Sequence, residues 1–259
     1  MTSPLPPLDC HAHVDPSIDV DQLRSVRAVV VAVTREPIEW ARALRRRDPT
    51  AVWGLGAHPG VAAALRDFDA ERFAQALDGA LFVGEAGLDG RARTDRGAQA
   101  DVFASVLAAL CAQPRPITIH STSATGEVIE ALQRCPVRGA ILHWWRGSPA
   151  ETRDAIELGC FFSINGHEIA NPKILDLLPA DRVLPETDFP HSQRYDRAAW
   201  QPGATQTVEA DLARRWDVDP GEARRRLWLN FGALLSITEV LDRMPRAVLA
   251  ALATAGYDG

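Results

Sequence analysis

The sequence has no cysteine pair at CxxC spacing: Cys10, Cys111, Cys135 and Cys160 stand far apart. That spacing argues against zinc-finger and disulfide roles and predicts reduced thiols in a cytoplasmic protein. Long hydrophobic runs are missing too. Stretches such as Ala28–Val33 fall far short of the roughly 20 apolar residues that span a bilayer. Residues Met1 to Pro7 carry neither a basic start nor an apolar stretch, so no secretory leader and no membrane association are expected. Basic excess is absent as well. With 28 Lys and Arg against 34 Asp and Glu, the formal net charge is −6. Such a surface has no general attraction for nucleic acid, although a metal site could still capture one phosphate. Lysine itself is nearly missing, Lys173 being the only one.

What is present suits one sizeable folded unit. At 259 residues, 46% hydrophobic and 24% charged, the chain can bury a substantial core. Short β-rich runs alternate with helical patterns. Candidate strands cover 8–13, 28–34, 51–58, 81–85, 116–120, 139–144, 160–165 and 182–188. Candidate helices cover 38–47 and 98–112, and Ser148 with Glu151 reads as a capping box for a helix that Gly159 ends. Alternating units imply parallel pairing, and eight of them close most simply into a (β/α)8 TIM barrel. An open doubly wound sheet is disfavoured, because no glycine-rich phosphate turn follows the first strand. The reading is a single domain over 1–259, with the barrel over about 8–235 and a C-terminal helical extension over about 236–259. Further helices at 205–216, 221–235 and 237–253 should pack around the barrel.

The chemical side chains gather at one end of this pattern. His11 and His13 end the first strand, His58 the third, Glu85 the fourth, His120 the fifth, His143 the sixth and Asp188 the eighth. Barrel enzymes build their active sites at the C-terminal ends of the strands. Residues two apart share a strand face, so Asp9, His11 and His13 should project together, as should Glu186 and Asp188. Inward histidines and carboxylates need compensation for lost hydration, which a divalent cation supplies. One His-x-His alone is as readily structural; the joint pattern at matching strand ends is not.

A site of three or four ligands would use only part of His11, His13, Glu85, His120, His143 and Asp188, so two divalent metal ions (Mg2+, Mn2+ or Zn2+) are expected, making the chain a metal-dependent hydrolase. Two cations need an anionic bridge. Lys173, the sole candidate for a carbamate, reads as a solvated residue at a helix start, which leaves Glu85 by elimination. Asp188 is both a ligand and the candidate general base, ligand alone being the plainer reading. His58 reads as a contact to the phosphate or scissile oxygen, or else as a supporting histidine. Asp9 and Glu186 are placed to orient ligand histidines from below. Asp89 could cap a turn or bind substrate.

The segments Asp9-Cys-His-Ala-His-Val-Asp15, Gly56-Ala-His-Pro59, Gly84-Glu-Ala-Gly-Leu-Asp89, Ile119-His-Ser121, Leu142-His-Trp-Trp-Arg-Gly147, Phe162-Ser-Ile-Asn-Gly166, Glu186-Thr-Asp-Phe-Pro190 and Asn230-Phe231 resemble, in order, the motifs of the TatD family. The likeness runs from residue 8 to about 235. It implies an amidohydrolase-like barrel, two divalent metals and metal-dependent DNase activity, often 3′→5′ exonucleolytic. It also implies that His11, His13, Glu85 and Asp188 hold one metal while Glu85, His120 and His143 hold the other. Trp144 after His143 and the short chain are similar to the QatD branch, the TatD-like component of an anti-phage system, which would add antiviral defence and partner subunits of a defence complex.

Departures from the family concern the groups that meet substrate. Thr122 stands where the family often has arginine, Trp145-Arg146-Gly147 replaces a Phe-Ser-Gly-like turn, and Gly90 follows Leu88-Asp89 where an aromatic is common. Arg91, Arg93, Arg96, Arg146, Arg194 and Arg197 follow strand ends; each alone reads as a solvated residue, but as a ring they favour an anionic substrate. Trp144, Trp145, Phe189 and Tyr195 could stack on bases of a single strand, with wall packing the alternative for Trp144. Trp200, Trp216 and Trp228 read as packing residues, and His167 and His191 carry no assigned role.

The expectation is a cytoplasmic deoxyribonuclease that trims single-stranded DNA ends, with Asp188, Glu85 and His58 catalytic and His58, Arg91, Arg93, Arg146, Trp144 and Arg194 holding substrate. Two alternatives stand beside it. One is an amidohydrolase-like enzyme acting on a small amide, ester or lactone, which the arginines disfavour. The other is a non-catalytic partner in a multi-protein complex, docked through the helices after Leu235.

Overall fold

The computed structural model describes residues 5–167, 172–194 and 197–258. Its strands are β1 (Leu8–His13), β2 (Val29–Val33), β3 (Ala51–Ala57), β4 (Phe82–Gly87), β5 (Ile117–His120), β6 (Ala140–His143), β7 (Phe161–Ile164) and β8 (Val183–Pro185). They pair in sequence order, each neighbour parallel. Two backbone hydrogen bonds close the ring, from Asp188 N–H to the His11 carbonyl (2.9 Å) and from His13 N–H to the Phe189 carbonyl (2.8 Å). The (β/α)8 barrel expected from the alternation is therefore the fold. The eighth strand is shorter than its pattern, ending at Pro185, and Asp188 takes a left-handed backbone (φ 46°) outside the extended region.

Local chemistry explains the helices. Ser148 Oγ accepts from Glu151 N–H, the Glu151 carboxylate accepts from Ser148 N–H, and Pro149 opens the helix Pro149–Glu157. Gly159, at φ 80°, turns the chain out of it. The helix expected over 38–47 is shorter, Pro37–Ala43, because Arg46 turns away to grip Asp48 and the Pro16 and Ile18 carbonyls. The helix expected over 237–253 is also broken. Pro220–Ile237 is followed by a 3-10 turn, Leu241–Arg243, and the last helix starts at Arg246. Pro245 forces Met244 into extended backbone (ψ 151°) and so separates the two.

The core has two parts. Outside the sheet, Val30, Ala32, Leu55 and Ile119 pack against Trp40, Phe103, Leu107 and Val128 of the surrounding helices. Inside, Leu8, Cys10, Val31, Phe82, Ile141 and Leu184 run on into Phe231, Leu234, Leu235, Val248 and Leu252. The C-terminal helices thus close the N-terminal end of the barrel instead of only ringing it. Thr238 shows how tightly: a Cβ added at Gly139, just before β6, would overlap its methyl group.

Two bulges matter for function, one in β1 between Asp9 and Ala12 and one in β4 between Val83 and Ala86, the latter shifting the register against both β3 and β5. A bulge sets two residues against one and re-aims a side chain. His11 lies in the first of these bulges and Glu85 in the second. The backbone there is crowded: a Cβ on Gly84 (φ 151°) would overlap the Thr118 hydroxyl, and one on Gly56 would overlap the Thr34 carbonyl oxygen. Among the described residues no helix is long and apolar enough to cross a membrane.

Candidate metal centre

Glu85, fully buried, stands at the middle of five histidines. Its Oε2 lies 3.2 Å from His13 Nε2, 3.4 Å from His58 Nε2 and 3.8 Å from His11 Nε2. Its Oε1 lies 2.5 Å from His120 Nδ1 and 2.9 Å from His143 Nε2. Asp188 Oδ1 faces His13 Nε2 at 3.4 Å and His11 Nε2 at 3.7 Å. Among the described residues, ligand atoms within 4.8 Å of one another form three groups: His11 with His13 and Glu85, His11 with His143 and Asp188, and His58 with Glu85 and His120. The structure so brings the six expected ligands together and adds His58 to the side of His120.

These residues fit divalent cations. Glu85 Oε2 and Asp188 Oδ1 are buried without a hydrogen bond, which would cost about 1–3 kcal/mol each if nothing met them. Imidazole nitrogens also face each other, His11 Nε2 to His13 Nε2 at 3.4 Å and His120 Nδ1 to His143 Nε2 at 3.5 Å. A cation between such lone pairs removes both problems, and nitrogen with carboxylate oxygen is a donor set that zinc and manganese accept.

Charge in the cluster follows from burial and from Glu85. Burial lowers His58 to about 3 and holds His11 well below the usual range, with His143 adding to the latter. Burial also opposes protonation of His13, but the Asp188 and Glu85 carboxylates overcome it and lift the ring to about 9. Glu85 in the same way outweighs burial at His120 and His143 and raises both. Burial pushes Glu85 itself upward, and the rings of His58, His120 and His143 reverse this and hold it well below the carboxylate range. Cation binding would therefore displace protons from this site.

The supporting carboxylates divide their work differently from the strand pattern. Asp9 touches no histidine ring. It accepts from His11 N–H, Thr187 N–H, Thr187 Oγ–H and Gly203 N–H, and burial still pushes it up to about 7. The bulge between Asp9 and Ala12 interrupts the two-residue period and turns Asp9 away from His11 and His13. Glu186 does face a ligand, its Oε1 lying 3.6 Å from His143 Nδ1 while Ser163 and Asn165 hold the carboxylate. Asp89 serves two ends, capping its turn through Arg91 and Ala92 N–H and meeting His120 Nε2 at 3.2 Å.

The family model described as TatD related DNase matches residues 8–236. The chain belongs to that family. A metal-dependent hydrolase of Bacillus subtilis (strain 168), YabD, described as uncharacterized, is 27% identical over 202 residues, which is 70% of this chain and 79% of YabD. The 3'-5' ssDNA/RNA exonuclease TatD of Enterobacter lignolyticus (strain SCF1) is 29% identical over 189 residues, 68% of this chain and 71% of that protein. The crystal structure of YJJV, a TatD homologue from Escherichia coli K12, superimposes with a TM-score of 0.74 at 23% identity, covering 89% of this chain and 98% of YJJV, a likeness of fold. Family membership makes this TatD-type chain a metal-dependent hydrolase of phosphodiester bonds.

Around the TatD-type centre, the pocket is lined by His58, Arg91, Trp144, Arg146 and Arg194 from the expected substrate set, and by Arg35, Asp89 and His191 besides. Arg93 is exposed and outside the lining; Asp89 fixes the turn so that Arg91 reaches Ser123 Oγ (3.0 Å) instead. Arg96 is paired with Glu127 at 2.7 Å. Trp145 is not available to a base: it is 2% exposed, donates to Thr152 Oγ1 (2.9 Å) and lies over Gly147, where no Cβ fits. Phe189 packs against the core, and Tyr195 lies outside the described residues. Trp200 is not a packing residue but 63% exposed, in the loop that precedes the helix Gln206–Trp216. His191, left without a role in the sequence, lines the pocket, as does Arg35, which the motifs did not flag. Arg35 directly follows Thr34 beyond the end of β2, a position that the rule placing sites at strand ends could have found.

Proposed function

We propose that the centre holds two divalent cations bridged by Glu85 and cleaves phosphodiester bonds at single-stranded DNA ends, working 3′→5′. The observation that carries this reading is the division of Glu85, with Oε2 toward His11 and His13 beside Asp188 and Oε1 toward His120 and His143. His11, His13, Glu85 and Asp188 would hold one cation and Glu85, His120 and His143 the other. Bound there, the cations supply an activated water and neutralise charge on the phosphoryl oxygens.

The chain's own groups do the rest. Asp188 Oδ1, buried and without a hydrogen bond, can accept the proton of an attacking water. His58 acts as a donor rather than a base. Gly60 N–H occupies its Nδ1 at 2.9 Å, so the neutral ring carries its proton on Nε2, the atom that faces the cluster. With its pKa near 3, the ring stays neutral and offers that N–H to a phosphoryl or leaving oxygen. Arg35, Arg91, Arg146 and Arg194 line the pocket and suit a phosphate chain better than a neutral ester. Its volume of about 370 Å³ accommodates one terminal nucleotide more readily than a duplex, with Trp144 positioned at its wall for the base. A setting in anti-phage defence, with partner subunits, rests on the His143-Trp144 pair and the chain length alone.

Metal analysis and end-labelled digestion test the reading together. The protein should carry two equivalents of metal and release 3′-label from single strands ahead of 5′-label. Degradation of closed circles as fast as linear strands would overturn the end-directed part, and a Glu85→Ala variant that kept both metals would overturn the bridge.

A further inference from the structure

Two cysteines far apart in sequence meet on the outer layer, away from the metal centre. Cys111 lies in the last turn of the helix Arg96–Ala112, and Cys135 ends the helix Thr125–Arg134. Their sulfur atoms are 2.7 Å apart, closer than ordinary van der Waals contact and near the roughly 2.05 Å of a bond. Both ends are stiff: Pro136 follows Cys135, Pro114 and Pro116 follow Cys111, and Cys111 Sγ points at the Pro136 carbonyl (3.6 Å). Cys111 is exposed and Cys135 half-buried, whereas Cys10 and Cys160 are buried. Between the two helices runs a groove of about 480 Å³, lined by Phe103, Leu107 and Ala131. Its far end is tied by Arg96 and Glu127, and its near end by nothing covalent.

We infer that Cys111 and Cys135 are a redox modification site, closing into a disulfide when a small-molecule disulfide such as oxidised glutathione is present. The exposed Cys111, as thiolate, attacks one sulfur of that molecule and releases its other half as a thiolate. Cys135 then gives up its proton and its sulfur attacks Cys111 Sγ, expelling the second half. Two protein thiols are oxidised and one small disulfide is reduced to two thiols. The order follows from the environment, since burial and the neighbouring Cys111 push the Cys135 thiol up to about 11. All four thiols are free, as the sequence analysis expects, but distance along the chain concealed two helix ends that the barrel sets side by side. Closing the loop from 111 to 135 should restrict the unfolded chain and staple the groove.

The test is incubation of the folded protein with oxidised glutathione, followed by thiol counting, mass mapping and thermal melts. The expected product retains two of its four thiols. Its tryptic peptide 97–134 is joined to 135–138, with the loss of two hydrogens. Its Tm should rise by roughly 5–10 °C, reversibly with dithiothreitol. Cys111→Ser and Cys135→Ser should each abolish both the link and the rise, and Cys135→Ser should keep glutathione on Cys111. A wild type that kept four thiols, held glutathione at Cys111 without closing, or linked other cysteines would overturn the inference.

Discussion

The two ends of the barrel are built on opposite principles. At the N-terminal end, Leu8, Phe82 and Ile141 meet Phe231, Leu234 and Val248, and shape complementarity among apolar groups holds them. At the C-terminal end, Asp9, His11, Glu85, His143, Glu186 and Asp188 are as deeply buried, between 0% and 5% exposed, yet they are charged or ionisable. The first end stabilises the fold, each large side chain contributing roughly 1.5–3 kcal/mol. The second leaves Glu85 Oε2 and Asp188 Oδ1 unmet and is tolerable because the first offsets it. Substitutions should therefore separate cleanly, those at one end altering chemistry and those at the other altering stability.

Glu85→Ala should have the largest effect, roughly a thousandfold or more in activity with loss of metal, while circular dichroism reports a folded barrel. Phe231→Ala should do the converse. It should remove about 3–5 kcal/mol of stability in urea unfolding and leave kcat per folded molecule unchanged. If Phe231→Ala lost kcat in proportion, the separation of the two ends would fail. Arg146→Ala acts at the mouth, where its guanidinium lies 3.2 Å from His167 Nε2. It should raise KM for oligonucleotides about tenfold to a hundredfold, the worth of a charged hydrogen bond of roughly 1.5–3 kcal/mol, and spare a small neutral ester. Equal losses on both substrates would move Arg146 from the substrate to the fold.

Glu222→Gln should have the smallest effect. Arg225 and Arg226 depress this carboxyl from its ordinary 4.5 to about 2, so its contribution is present above pH 4.5 and fades as the pH falls from there toward 2. The pairs face solvent, so the loss at pH 7 should stay under about 1 kcal/mol and vanish in acid. A loss that grew on acidification would contradict the sign.

Much of this was legible in sequence, for physical reasons. The eight strands and their order followed from alternating patterns, and the clustering of His11, His13, Glu85, His120, His143 and Asp188 followed from their place at strand ends. What escaped were the features that a two-residue period cannot carry. The bulge in β1 turned Asp9 toward Thr187 and Gly203, and the left-handed Asp188 left the strand before its side chain reached the cluster. The closure of the barrel floor by the last helices escaped as well, because it depends on contacts such as Thr238 over Gly139 that join distant parts of the chain. Trp145 was misread because its partner, Thr152, lies on the following helix and leaves no mark in the motif.

The most direct test of the central claim is an anomalous difference map from crystals of the metal-loaded protein. The account predicts two peaks, one beside Glu85 Oε2 with His11, His13 and Asp188 and the other beside Oε1 with His120 and His143. A single peak, or two peaks that do not share Glu85, would contradict it.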